Sequence, residues 1–133
     1  ASDVYKRQGI GIAERKWVFG SLWFDTRNKA TLIWSEELKY WVRVDPATVG
    51  QYTGLKDEHG KEIYEGDVIR SPLSEDKTRP HRIFYHTGNA AFMGALVDRK
   101  ELCYLRLDQD WIYKFGKEVI GNIHDNPELL KNE

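Results

Sequence analysis

After residue 12, apolar and polar positions alternate with period two more often than with the helical period of about 3.6, the pattern of strands with one buried face. Residues 16–24 (KWVFGSLWF) are dense in aromatic and β-branched types and stop at the polar run Asp25-Thr26-Arg27-Asn28-Lys29. Residues 30–34 then resume as a second strand, so the pair reads as a hairpin. Residues 40–44 predict another strand, ended by Asp45-Pro46, where proline withholds a backbone donor. Residues 81–86, 90–97, 102–107 and 117–123 predict further short strands separated by turn residues, the rhythm of small barrels. Pro72 and Pro80 bracket a polar loop over residues 71–82. Only residues 127–131 (PELLK) read as helical, with Asn126 as cap and Pro127 in the first position.

The stretch 49–69, VGQYTGLKDEHGKEIYEGDVI, is regular yet polar. Asp57-Glu58-His59-Gly60 fits a type I turn followed by a left-handed residue, which glycine supplies without steric cost, and Gly66 reads as a second bend. The acidic residues are expected at loop or outward positions of a narrow hairpin with one wet face, and Asp67 is expected to bond turn amides.

The chain has 133 residues, enough for one domain with its own core. Charged residues are 31% of it but the net charge is -1, so it lacks the basic excess of proteins that track a nucleic-acid backbone. The single cysteine, Cys103, cannot close an intrachain disulfide, and no secretory or membrane-spanning apolar run is present. A cytoplasmic protein is the expectation.

Gly50-Gln51-Tyr52-Thr53-Gly54-Leu55-Lys56-Asp57, followed by Gly60-Lys61-Glu62-Ile63-Tyr64-Glu65-Gly66-Asp67-Val68-Ile69, closely resembles the signature of the YopX family of phage and prophage proteins. Trp17-Val18-Phe19-Gly20 resembles that family's N-terminal strand, and residues 119–130 (VIGNIHDNPELL) resemble its C-terminal segment. The resemblance spans residues 9–130 and implies a mainly all-β fold, an SH3-like barrel or roll with an additional N-terminal hairpin region and a short C-terminal helix. It also implies a phage or prophage origin and a homo-oligomer. It departs at the front: residues 3–8 (DVYKRQ) back-translate to a transposon mosaic-end adapter used in shotgun sequencing. Residues 1–8 are therefore expected to be an adapter-derived scar, and residues 9–133 a single YopX-like β domain.

No catalytic constellation stands out, so no enzyme activity and no cofactor are expected. His81 and His86 lie an odd number of residues apart, which sends them to opposite faces of a strand, and no metal site is expected. Glu65 and Asp67 could face one side of a strand, but a structural role in the turn is the simpler reading. Residues 77–82 (KTRPHR) form the one compact basic cluster. The aromatic inventory is heavy for this length, with five tryptophans, seven tyrosines and five phenylalanines. Most of these rings are expected in the core or an oligomer interface. Trp17, Phe19 and Trp23 share one strand face by parity, and Trp41 shares another with Arg43.

Indole rings beside guanidinium groups suit a flat, anionic ligand. The candidate ligand-binding set is Trp23, Trp34, Trp41, Arg43, Arg79, Arg82, Tyr85 and Trp111. The expected function is non-enzymatic sequestration of a nucleotide-derived host immune signal of cyclic or modified ADP-ribose type. The alternative is a barrel that docks host protein or nucleic acid, with nucleic acid disfavoured by the near-neutral charge.

Overall fold

A computed structural model describes residues 6–71, 80–97 and 104–130, with the backbone alone for residues 104–106. Antiparallel strands dominate, as the period-two pattern requires, and the all-β class holds. Two compact units divide the chain, Ala1–Tyr52 and Thr53–Glu133.

The first unit holds β1 (Lys6–Ile10), β2 (Trp17–Asp25), β3 (Ala30–Ser35) and β4 (Tyr40–Arg43). Strand order is β4-β3-β2-β1, and β5 (Gly50–Lys56) follows β1 and carries the chain into the second unit. The β2–β3 hairpin turns where the polar run predicts. Asp25 accepts the Arg27 and Asn28 amides at 3.0 and 3.4 Å, and Lys29 takes the left-handed φ of 52°. The Asp45-Pro46 stop is a 3₁₀ turn over Pro46–Thr48, with Asp45 as its cap.

Past β4 the sheet curls back on β1. Gly11 bridges Val44, the Asp45 amide donates to the Ile10 carbonyl at 2.9 Å, and the Ile12 amide donates to the Arg43 carbonyl at 2.9 Å. The inside of this roll is aliphatic: Val18, Ile33, Val42 and Val44 are buried together. Gly20 is obligatory there, because a Cβ at that position would sit 1.7 Å from the Trp34 carbonyl oxygen.

Lys6, Arg7 and Gln8, which match the translated adapter, pair with Ser21, Gly20 and Phe19 in β1.

The second unit holds β6 (Glu62–Tyr64), β7 (Asp67–Arg70), β8 (His81–His86), β9 (Ala91–Leu96), β10 (Tyr104–Arg106) and β11 (Glu118–Asn122). All of these except β6 form a sheet in the order β10-β9-β8-β7-β11, while β6 neighbours β5. Its core is Ile63, Ile69, Ile83, Leu107 and Ile112, with Leu55, Phe92, Trp111 and Val119 packed against it.

One α-helix is present among the described residues, α1 (Gln109–Lys114). It was not expected from the sequence, yet its signals are there: Asp108 caps it through the Trp111 amide at 2.7 Å, Asp110 lies in its first turn and Lys114 in its last. The expected C-terminal helix is instead a 3₁₀ turn, Pro127–Leu130. The Asn126 side chain is turned back on the Asn122 amide at 3.2 Å and does not cap a helix.

The bend at Gly60 (φ 83°) and the bend at Gly66 (φ 95°) are where the 49–69 pattern puts them. Asp67 bonds a turn amide as expected, but Asp57 does not point outward. Asp57 and Asp67 are buried. Asp57 accepts the His59, Lys61 and Val119 amides at 2.8, 2.9 and 3.1 Å, and Asp67 accepts the Tyr64 amide at 2.8 Å. A carboxylate can enter a core when backbone N–H groups replace its water, and the outward expectation is corrected for Asp57 on that ground.

Candidate functional site

In the first unit the register decides which side chains share the outer face. Ser21 lies opposite Trp34, and Trp34 opposite Trp41; one step along, Trp23 lies opposite Leu32, and Leu32 opposite Arg43. Paired residues project to the same side of a sheet, so Trp23, Trp34, Trp41 and Arg43 lie on one face, opposite the aliphatic interior.

The rings meet. Trp23 and Trp41 stand 5.6 Å apart at 56°, and Trp34 and Trp41 5.6 Å apart at 71°, so the β2 and β4 indoles close over β3. Trp23 is 50% exposed and Trp41 43%. Phe19 lies on the same face and is also exposed. Arg43 is exposed, and its guanidinium makes no hydrogen bond or ion pair with any described residue.

Chemically, this is a set of tilted π-faces in water beside an unspent five-donor cation. Such a surface can stack a planar ring and pair an oxyanion.

In the second unit the expected residues divide. Arg82 and Tyr85, three apart on β8, point to opposite sides. Arg82 stacks on Phe84 at 5.3 Å, while Tyr85 packs edge-on against Phe92 at 5.2 Å. Trp111 projects from α1 onto the core, with the His81 ring edge-on at 5.8 Å and the Lys117 ammonium over its face at 4.7 Å. Arg79, Lys77 and Cys103 lie outside the described residues. His81 and His86 take opposite faces of β8, as their spacing requires: His81 is opposite Ile69 on the core side, and His86 faces Phe84. Among the described residues no three His, Cys, Asp or Glu gather as a metal site would need, and no helix is long and apolar enough to cross a membrane.

Two groups escaped the sequence reading. Lys117 is only 5% exposed, and burial pushes its amine below the ordinary lysine range. His59 hydrogen-bonds Glu118 at 2.9 Å, and that bond raises its pKa above 6.5. Both belong to the contacts of the 57–61 turn with the start of β11, which no local pattern announces.

The model of one family, described as YopX protein, matches residues 13–131. The crystal structure of protein EF1440 from Enterococcus faecalis is similar, with a TM-score of 0.60 and 27% identity over 95% of this chain and 97% of that one. No curated protein matches the sequence.

Proposed function

The chain belongs to the YopX protein family, and on that premise we propose that it is a non-enzymatic binding protein that sequesters a flat, anionic, nucleotide-derived molecule on the tryptophan face of its first unit. The family suggests a phage- or prophage-type protein. The ligand class is a cyclic or modified ADP-ribose made by a host defence enzyme, and the biological effect is to withhold that signal inside the infected cell.

One observation carries this reading: Trp41 meets both Trp23 and Trp34, and the three indoles stand outside the core with Arg43 on the same face and its guanidinium unspent. Tryptophan left in water without a partner forgoes burial worth about 2–3 kcal/mol per large side chain, so a surface keeping several such rings together is a binding surface. A purine stacks on an indole, and a pyrophosphate takes the guanidinium fork. Sequestration needs only affinity.

Titration calorimetry with ADP-ribose and cyclic ADP-ribose tests it, together with release of a signal-dependent effector enzyme from activation. Binding that falls about 10–100-fold in Arg43→Ala and is lost in Trp41→Ala supports the reading; signals left free in solution by the folded protein defeat it.

A second reading has its own observation. Leu22 and Phe24, on the other side of the same hairpin from Trp23, are also exposed, so the hairpin carries apolar surface on a second side that one small molecule on the tryptophan face does not cover. A macromolecular partner, or further copies of this chain, would use that second side. Light scattering of Leu22→Ser/Phe24→Ser against the parent tests the self-association arm, and a smaller mass for the variant supports it.

A further inference from the structure

The tryptophan face has a neutral polar corner as well as a charged one. On β2, Ser21 stands two residues before Trp23, and alternation along a strand keeps both on one side. Across the ladder Ser21 is directly opposite Trp34, whose own partner on β4 is Trp41. Ser21 is exposed, and its hydroxyl makes no hydrogen bond with any described residue. On its other flank Ser21 is opposite Lys6, whose ammonium lies over the Tyr52 ring at 5.4 Å.

Arg43 holds the opposite corner. It lies two strands away on β4, in the neighbouring row of the same face, Arg43–Leu32–Trp23. Strands about 4.8 Å apart and a rise of about 3.4 Å per residue put the Ser21 and Arg43 Cα atoms roughly 12 Å apart on a diagonal. That diagonal crosses β3 between Trp34 and Leu32, where the Trp41 ring leans over to reach Trp23 at 5.6 Å. A nucleotide carries its parts in the same order: phosphate at one end, then the sugar, then a flat base whose far edge bears donors and acceptors. With the phosphate on the Arg43 fork and the base on the indoles, that far edge is turned toward β2. Stacking strips water from the edge, and a polar group left unpaired there costs affinity.

We propose that Ser21 is a specificity-determining residue of the tryptophan face, its hydroxyl accepting a hydrogen bond from the 6-amino group of an adenine stacked on the indoles. A serine hydroxyl has two acceptor lone pairs and one donor, so it can take an amino N–H without a charge of its own. This rests on the tryptophan-face reading and adds to it which end of the ligand lies on β2 and which base is preferred.

The test is titration calorimetry of the full chain with ADP-ribose and with the analogue in which purine, lacking the 6-amino group, replaces adenine. Wild type should bind ADP-ribose about 2–10-fold more tightly than the analogue, the range of one hydrogen bond. Ser21→Ala should lose that preference by weakening ADP-ribose alone, and Ser21→Thr, which keeps a hydroxyl, should retain it. Ser21 is an exposed strand position, so unchanged near-ultraviolet dichroism of the tryptophans should accompany both variants. A wild type without preference overturns the assignment, as does a Ser21→Ala variant that keeps the wild-type ratio. Equal weakening of both ligands in Ser21→Ala also overturns it, because the hydroxyl would then meet the sugar or phosphate. Should wild type bind neither ligand, the tryptophan-face reading falls and this inference with it. Should wild type bind, Trp41→Ala abolish binding and Ser21→Ala keep the preference, the reading stands and this inference alone is lost.

Discussion

The two units place their tryptophans in opposite ways. In the first, the core is made of Val18, Ile33, Val42 and Val44, all aliphatic, while three tryptophans stand outside it. In the second, Phe92 and Trp111 pack against an Ile/Leu core, and Trp111 is further covered by His81 and Lys117. The same residue type thus serves as packing in one place and as surface in the other. Burial alone would have drawn the first unit's rings inward, since nothing repels them from an aliphatic core. What keeps them out is register. The interior positions of the first unit alternate with the tryptophans along β2, β3 and β4, and a one-residue slip would exchange the two sets.

The largest expected effect breaks the first unit itself. Gly20→Ala puts a Cβ 1.7 Å from the Trp34 carbonyl oxygen, on backbone that cannot yield without opening the β2–β3 ladder. A loss of about 4 kcal/mol or more is expected, with loss of the near-ultraviolet dichroism of the tryptophan cluster. Denaturant unfolding that matches wild type would show that the close approach is relieved elsewhere.

Truncating one ring in each unit sets the contrast directly. Trp111→Ala removes a ring packed on the core and should cost about 3 kcal/mol. Trp41→Ala removes a ring that is already 43% exposed and should cost about 1 kcal/mol or less, while abolishing ligand binding. Equal costs would mean that the outer cluster is structural packing like the inner one.

Asp57→Ala probes the polar scaffold. Three amides lose their shared acceptor, including that of Val119 on β11. The expected cost is about 2 kcal/mol, and Asp57→Asn, which keeps one acceptor oxygen, should recover part of it.

How far the sequence reaches follows from these cases. Strand positions were legible: the hairpin turning at 25–29, the stop at Asp45-Pro46 and β8 over His81–His86 all follow from local pattern. The division of Arg82 from Tyr85 follows from the same parity, since an odd spacing on a strand separates faces, but grouping both in one candidate set overlooked it. The meeting of Trp23 with Trp41 was not. They are two strands apart, and their proximity depends on the registers of two hairpins together. Helix α1 was missed although Asp108 is a good cap, because six residues carry too little periodicity to outweigh neighbouring strand signals. Buried Asp57 was missed for a different reason. Whether a turn carboxylate faces water or backbone amides depends on what packs over the turn, here the start of β11 from about sixty residues downstream.

The smallest effect lies at that same junction, between His59 and Glu118. Both side chains are at the surface, where a pair contributes little, yet its pH dependence has a definite sign. The hydrogen bond to Glu118 raises the His59 pKa above its ordinary 6.5, so the folded state holds the proton more tightly than the unfolded chain. The pair's contribution is therefore complete below pH 6.5 and fades as pH rises through the folded-state pKa. A proton NMR titration should place the His59 midpoint above 6.5, and Glu118→Gln should bring it down. His59→Gln should flatten the stability profile over that window while leaving the Asp57 contacts in place, since these use backbone amides that the substitution keeps. A midpoint that ignores Glu118→Gln would show that the 57–61 turn meets β11 through Asp57 alone, with the imidazole a bystander in solvent.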